Sequence, residues 1–138
     1  MLENERICKI VTIADLDKLP VRVCLSTMIA HLEGLMAEII EKQYPDENDW
    51  LSLLSDGARD EVNTVYNRKK DQDFDASMVD CTTIIYKFTI LCKTRSFLEY
   101  LDISKNEYER IYKPINRLRN RYFHNLPSLT NDKSTFFL

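Results

Sequence analysis

Apolar residues recur at three- and four-residue steps through most of this chain, and this period constrains the fold more than any other feature. The first periodic segment runs from Pro20 to about Tyr44. Its apolar positions are Leu25, Ile29, Leu32, Leu35, Met36, Ile39 and Ile40. One face of an α-helix has this spacing. Only two glycines and four prolines occur in 138 residues, which argues against an all-β sandwich with its many tight turns.

Three further segments carry the same helical period. Their bounds are about 49–72, 76–101 and 104–125. Gly57 is a candidate break in the second segment, and Asp75 is a candidate cap for the third. Four amphipathic helices joined by short polar connectors predict an all-α, antiparallel four-helix bundle.

The fourth segment has the clearest local signals. Ser104 and Glu107 form a capping-box pattern, in which each side chain bonds to the backbone of the other residue. Pro114 lies well inside the segment and predicts a kink or a division of the helix.

The two ends of the chain read differently from the bundle at 20–126. Residues 1–19 form an N-terminal appendage, in which Lys9–Ile13 is short, β-branched and typical of a strand. Ala14–Leu19 suits a short helix. Residues 127–138 form a C-terminal tail whose last three residues are apolar.

Composition narrows the classes of partner. The formal net charge is −3, which excludes a wholesale basic nucleic-acid binder but not a local basic patch. The cysteines are scattered, with no Cys-x-x-Cys pair, so we expect reduced thiols and no metal site. The acidic start does not resemble a signal peptide, and no run of 18 uncharged apolar residues occurs. We therefore expect a cytoplasmic protein with no membrane segment.

A basic strip at 113–124 stands out on this acidic chain. Its cations are Lys113, Arg117, Arg119 and Arg121, and it contains no acidic residue. His124 closes the strip. Arginines two residues apart cannot share one helical face, so some of them must point away from the core.

Helix geometry separates the roles of these residues. With Ile115 at the centre of the core face, Tyr122 stays on that face, and Arg119 lies about 40° from its centre. Asn120 and His124 lie about 140–180° away. We therefore expect Asn120 and His124 to project away from the bundle, with Arg119 at the edge.

Such a cluster suits cleavage of RNA. The imidazole of His124 titrates near neutrality and can carry a proton. Arg119 offers a planar cation that holds phosphate oxygens and offsets charge in the transition state, and Asn120 can orient either group. RNA supplies its own nucleophile, the 2′-hydroxyl, so no metal or other cofactor is needed. The alternative is that His124 is an ordinary surface or core histidine, because short spacings also arise by chance.

The residues from Arg119 to His124 resemble the R-N-x-x-x-H form of the motif that defines the HEPN superfamily. The predicted bundle resembles a HEPN domain as well. The resemblance implies a homodimer in which two motifs meet in one cleft and cleave RNA without a metal. It implies catalytic roles for Arg119, His124 and Asn120. We assign RNA-backbone binding to Lys113, Arg117 and Arg121.

The same resemblance suggests a toxin or defence nuclease restrained by an antitoxin protein. Related toxins often carry a modifiable tyrosine two residues after the histidine, but Leu126 occupies that position here. Other HEPN domains are inactive, so a non-catalytic module that binds RNA or protein is the alternative function.

Residues 10–16 resemble the closing strand and helix of a CBS domain, with its T-x-x-D pattern at Thr12 and Asp15. In that family these positions hold a nucleotide ribose. The resemblance implies descent from a CBS–HEPN fusion and a regulatory link to a nucleotide. Lys9 replaces the usual glycine, and the equally weighted alternative is a short segment that packs on the bundle.

Overall fold

A computed structural model describes the backbone of residues 2–3, 6–7 and 12–124 and the side chains of residues 12, 14–15 and 17–122. Six α-helices and two short 3-10 helices lie in this part of the chain. The α-helices are α1 (Leu19–Gln43), α2 (Glu47–Leu51), α3 (Asp56–Asp71), α4 (Ile84–Cys92), α5 (Arg95–Leu101) and α6 (Lys105–His124). The fold is an all-α bundle, which confirms the predicted fold class.

The described residues of the N-terminal appendage form only short regular elements. Two-residue strands, β1 (Leu2–Glu3) and β2 (Arg6–Ile7), form an antiparallel pair. The predicted strand over Lys9–Ile13 is wrong at its end, because Ile13 begins a 3-10 helix that runs to Asp17. Residues 9–11 lie outside the described residues. The short predicted helix after Ile13 is present in this 3-10 form.

The first long helix is confirmed nearly as predicted. α1 begins at Leu19, with Pro20 in its first turn, where a missing N–H costs nothing. Its buried stripe consists of Ile29, Met36, Ala37 and Ile40. Leu35, predicted in the core, is exposed. By length and composition α1 could cross a membrane, whereas the sequence predicted no such segment. Of the apolar window of α1, 22% is buried inside the protein.

The second predicted helix is divided into α2 and α3, but not at Gly57. Ser55 caps α3 by accepting a hydrogen bond from the Ala58 N–H at 3.3 Å, and Gly57 lies inside this helix. Asp46 caps α2 in the same way, through the Asn48 N–H at 2.9 Å. Ser55 accepts a hydrogen bond from a backbone N–H that would otherwise be free, and this fixes the start of α3. Gly57, two residues later, does not interrupt the helix.

The third predicted helix, over 76–101, is wrong as a continuous element. It consists of a 3-10 helix (Val79–Cys81), α4 and α5. Thr83 caps α4 through the Tyr86 N–H at 3.4 Å, and Thr94 stands at the start of α5. Threonine side chains bond to nearby backbone and so compete with helix continuation. Asp75 caps no helix in the structure.

The fourth predicted helix is a single element, α6. The capping box is present: Ser104 Oγ accepts from the Glu107 N–H at 3.2 Å, and the Ser104 N–H donates to Glu107 at 2.7 Å. Pro114 lies inside α6 without dividing it.

The core lies where α1, α4 and α6 pack against one another. Trp50 of α2 is 1% exposed and belongs to this core. Phe88 of α4 stacks on Tyr112 of α6 with ring centroids 4.8 Å apart, and it meets Tyr108 edge to face. These contacts fix α6, and with it the basic strip, against the bundle.

Candidate nucleic-acid interface on the last helix

The C-terminal half of α6 carries the predicted site residues. Tyr122 is buried at 2% exposure, which confirms its predicted place on the core side. His124 is the last residue of α6, but its side chain lies outside the described residues. The structure therefore gives the setting of the arginines and of Asn120.

Arg119 is held from two sides. Its Nε lies 3.9 Å from Glu33 Oε1 on α1, and its Nη1 donates to Asn120 Oδ1 at 3.4 Å. The side chains of Arg119 and Glu33 are 25% and 28% exposed. Arg119 is thus an oriented cation at the edge of the helix interface, as the 40° offset predicted.

Asn120 differs from its prediction. It was expected to project away from the bundle, but it is only partly exposed. Its amide oxygen accepts the bond from Arg119. The reason is that α6 packs along α1, so the covered part of α6 is broader than the face centred on Ile115.

The other three cations of the basic strip do not gather at one point. Arg121 donates from Nη2 to both carboxylate oxygens of Asp17, at 2.8 and 2.9 Å. Lys113 Nζ lies 3.9 Å from Glu109, one turn earlier on α6. Arg117 is exposed and has no hydrogen bond or ion pair with any residue that the structure describes. Two of these cations are therefore shared with acids of the same chain.

Sequence reasoning missed the polar residues on one side of α1, of which Glu33 pairs with Arg119. Arg22, Ser26 and Glu33 share one side of α1, because offsets of four and eleven residues return to within about 40° on a helix. Together with Asn116, Arg119 and Asn120 of α6 we call these residues the polar seam. Its formal charge is +1, because it holds two arginines and one glutamate.

Several nitrogen and oxygen atoms of the polar seam are buried without a hydrogen bond to the described part of the chain. Arg22 Nη2, Ser26 Oγ and Asn116 Oδ1 have no hydrogen-bond partner within the described part of the chain. The available signal in the sequence was Glu33, the single acid between Leu19 and Ala37. A partly buried carboxylate in such an apolar stretch favours a cationic partner.

A buried lysine lies in the same interior. Lys87 of α4 is 3% exposed, and its ammonium donates to the Thr82 carbonyl at 2.8 Å. Burial lowers the pKa of Lys87, and the nearby Glu33 carboxylate partly opposes that change. Glu33 therefore acts electrostatically on two cations, Arg119 on α6 and Lys87 on α4.

The two residues of the T-x-x-D motif in the appendage, Thr12 and Asp15, bond to each other. The Asp15 carboxylate accepts bonds from the Thr12 N–H at 2.7 Å and from the Thr12 hydroxyl at 3.0 Å. It also pairs with Lys18. The Lys18 ammonium, followed by the Thr12 bonds, lowers the pKa of Asp15 to about 2. In this arrangement both motif side chains cap the 3-10 helix.

The described residues offer no candidate metal site, and the comparisons with known proteins found no match. Across the described ranges, no group of three or more His, Cys, Asp or Glu side chains could hold a metal ion. No family model matches the chain, and neither a curated protein nor a solved structure matches it. The HEPN and CBS resemblances therefore depend on the residues quoted for them.

Proposed function

We propose that this protein is a metal-independent endoribonuclease of HEPN type whose site is centred on Arg119 and His124. The observation that carries the proposal is the position of the Arg119 guanidinium between Glu33 and Asn120, five residues before His124. A cation that is oriented before substrate arrives stabilises transition-state charge without reorganising.

The reaction follows from the chemistry of these groups. His124 accepts the proton of a ribose 2′-hydroxyl, and the 2′-oxygen attacks the adjacent phosphorus. The P–O bond to the 5′-oxygen breaks, and this oxygen leaves with a proton. The products are a 2′,3′-cyclic phosphate and a 5′-hydroxyl.

The remaining residues have supporting roles in this proposal. Arg119 holds the phosphate oxygens, and Asn120 keeps Arg119 in place. Lys113, Arg117 and Arg121 bind neighbouring phosphates along the strand. In this proposal the leaving 5′-oxygen takes its proton from the imidazolium of the second His124 in the homodimer that the HEPN resemblance implies.

The cellular role in this proposal is a cytoplasmic toxin or defence nuclease. An unrestrained ribonuclease harms its own cell, so the proposal includes an antitoxin protein as a partner. The exposed Arg117 is a suitable contact for an acidic surface on that partner.

The test is RNA cleavage by the purified chain in EDTA, with identification of the product ends. His124→Ala is expected to lower the rate by roughly 10²–10⁴-fold, the usual range for loss of a general acid–base. Arg110→Ala is the matched control, because Arg110 lies on the same helix, is exposed and stands outside the basic strip. Cyclic-phosphate ends that disappear in His124→Ala alone support the proposal. Equal cleavage by both variants indicates a contaminant and contradicts it.

A specific observation favours the second candidate, a non-catalytic module that binds RNA or protein. Arg121 and Arg119 are paired with Asp17 and Glu33 of the same chain, as expected for cations with structural roles. This candidate predicts RNA binding that weakens steeply with salt and no cleavage by any preparation.

A further inference from the structure

A small hollow lies where the end of α1 meets α2 and the 3-10 helix at Val79–Cys81. Its volume is about 260 Å³, so it has room for a group the size of one long side chain. Its lining residues are Glu41, Tyr44, Pro45, Glu47, Trp50 and Val79. None of them belongs to the basic strip or to the polar seam, so the hollow is separate from the proposed nuclease site.

The hollow is negatively charged. Glu41 and Glu47 line it together with no basic residue, and both are exposed. Neither carboxylate has a hydrogen bond or an ion pair with any residue that the structure describes. The neighbouring Lys42 lines a different hollow, beside α5. α1 also ends here, at Gln43, and the C-terminus of a helix carries a partial negative charge. The hollow therefore attracts a cation.

Two aromatic residues in the lining are held in place. Thr94 Oγ1 donates its only proton to the Ile90 carbonyl at 2.8 Å. The Tyr44 hydroxyl therefore donates to Thr94 Oγ1, at 2.8 Å, and has no proton left for a ligand. Trp50 is 1% exposed. Its indole N–H has no hydrogen bond within the described part of the chain, and the nitrogen is not fully enclosed. A nearly buried donor thus remains free beside the hollow.

The chemistry of the lining selects an organic cation over a metal ion. Calcium requires six to eight oxygen ligands, and magnesium requires six, but only two carboxylates line the hollow. The other lining side chains are aromatic or apolar. An ammonium group on a carbon stem matches this combination, because aromatic rings attract the cation and apolar surface packs on the stem. The free indole N–H favours a ligand with an oxygen acceptor close to the stem.

We propose that this hollow binds an alkylammonium group, with the cation at Glu41 and Glu47 and the stem against Tyr44 and Trp50. The group is the side chain of a lysine in another protein or a free amine of the same size. In the first case the Trp50 N–H donates to a carbonyl of the lysine residue. A hollow of this size gives a weak site, with a dissociation constant of about 1 mM.

The experiment uses Trp50 itself as the probe. It is the only tryptophan in the sequence, so its fluorescence and its indole N–H resonance report on this hollow alone. The full chain is titrated with n-butylammonium chloride at constant ionic strength. Both signals are expected to saturate, with a dissociation constant of about 1 mM. n-Butanol, which has the same stem and no charge, is expected to bind about tenfold more weakly.

Variants test the role of the two carboxylates. Glu41→Gln combined with Glu47→Gln should weaken binding of n-butylammonium about tenfold, because each exposed charge contact contributes a factor of about two to five. The matched control combines Glu38→Gln with Asp49→Asn. These acids lie on the same two helices, are exposed and do not line the hollow, so this variant should bind normally. Circular dichroism of both double variants shows that they fold.

Nα-acetyl-lysine methylamide distinguishes the two sources of the group. Tighter binding of this compound than of n-butylammonium supports a lysine side chain, because its carbonyls can accept from the Trp50 N–H. Tighter binding of n-butylammonium supports a free amine. The proposal is overturned if neither signal saturates, if n-butanol binds as tightly as n-butylammonium, or if both double variants lose the same affinity. No RNA is present, so these outcomes are independent of the nuclease test.

Discussion

Arg121 and Asp17 join the last helix of the bundle to the segment that precedes its first helix, across 104 positions of sequence. One nitrogen of Arg121 donates to both carboxylate oxygens of Asp17. Both side chains are about half exposed. The pair therefore positions the N-terminal 3-10 helix more than it stabilises the bundle.

Arg121→Gln is expected to release the 3-10 helix without unfolding the protein. Half-exposed ion pairs contribute about 0–1 kcal/mol, so the urea midpoint should change little. Amide hydrogen exchange at residues 12–18 should become faster, because these residues lose their tie to α6. Arg117→Gln removes an unpaired arginine from the same helix and should leave both measurements unchanged. Unchanged exchange in Arg121→Gln would show that the pair does not hold the segment.

Glu33 and Arg119 are expected to be energetically coupled. A double-mutant cycle with Glu33→Gln and Arg119→Gln should give a coupling free energy of about 0.5–1 kcal/mol, the upper part of the range for partly exposed pairs. The measurement is the free energy of unfolding in urea for the four proteins. The control cycle combines Arg119→Gln with Glu38→Gln, since Glu38 is an exposed residue of the same helix. Its coupling should be close to zero, and equal coupling in both cycles would contradict the assignment.

Lys87 is expected to make the stability of the protein depend on pH. Its pKa is lowered in the folded state from an ordinary value of 10.5, so the unfolded chain binds more protons between the folded pKa and 10.5. Stability therefore rises with pH in that window. Cys92 opposes this rise, because burial raises its pKa, and the prediction is a comparison between variants.

Lys87→Met should reduce the increase in unfolding free energy between pH 7 and pH 9.5 relative to the parent protein. Lys93→Met is the matched control. Lys93 also donates to a backbone carbonyl, that of Leu53 at 2.6 Å, but it is exposed. Its loss should lower stability by a similar amount at both pH values. If the two variants show the same pH dependence, burial of Lys87 does not cause the effect.

Pro114 is expected to lower the stability of α6. It removes one N–H from the interior of a continuous helix, at a usual cost of up to about 3 kcal/mol. Pro114→Ala should therefore raise the free energy of unfolding by about 1–3 kcal/mol. Pro20→Ala is the control, because Pro20 lies in the first turn of α1, where it removes no helical bond. A lower free energy of unfolding in Pro114→Ala than in the parent protein would contradict this prediction.

Local pattern predicted α1 and α6 well, because both have one apolar face and clear end signals. The segment 76–101 was predicted less well because α4 is buried on most sides. Six of its nine residues are buried, including Lys87. Because α4 has no polar face, its apolar period runs on into the neighbouring segments. The two-residue breaks at 82–83 and 93–94, each of which contains a threonine, are then hidden.

The candidate site was also predicted only in part. Arg119 and Asn120 were identified because they lie close together in an acid-free strip. Glu33 and Asp17 were missed because their partners lie on α6, and side-chain pairs between distant segments leave no period in the sequence. Asn120 is less exposed than expected because a helical wheel places residues around one helix and contains no information about a second helix lying beside it.

The order of the helices along the chain has a consequence for synthesis. α1 is made before either α4 or α6, the two helices that cover its inward face. At about 5–20 residues per second, the ribosome releases α1 several seconds before α6 is complete. During that interval both faces of α1 are uncovered. We therefore expect the nascent chain to bind chaperones that hold apolar segments until the helices that cover them have been synthesised.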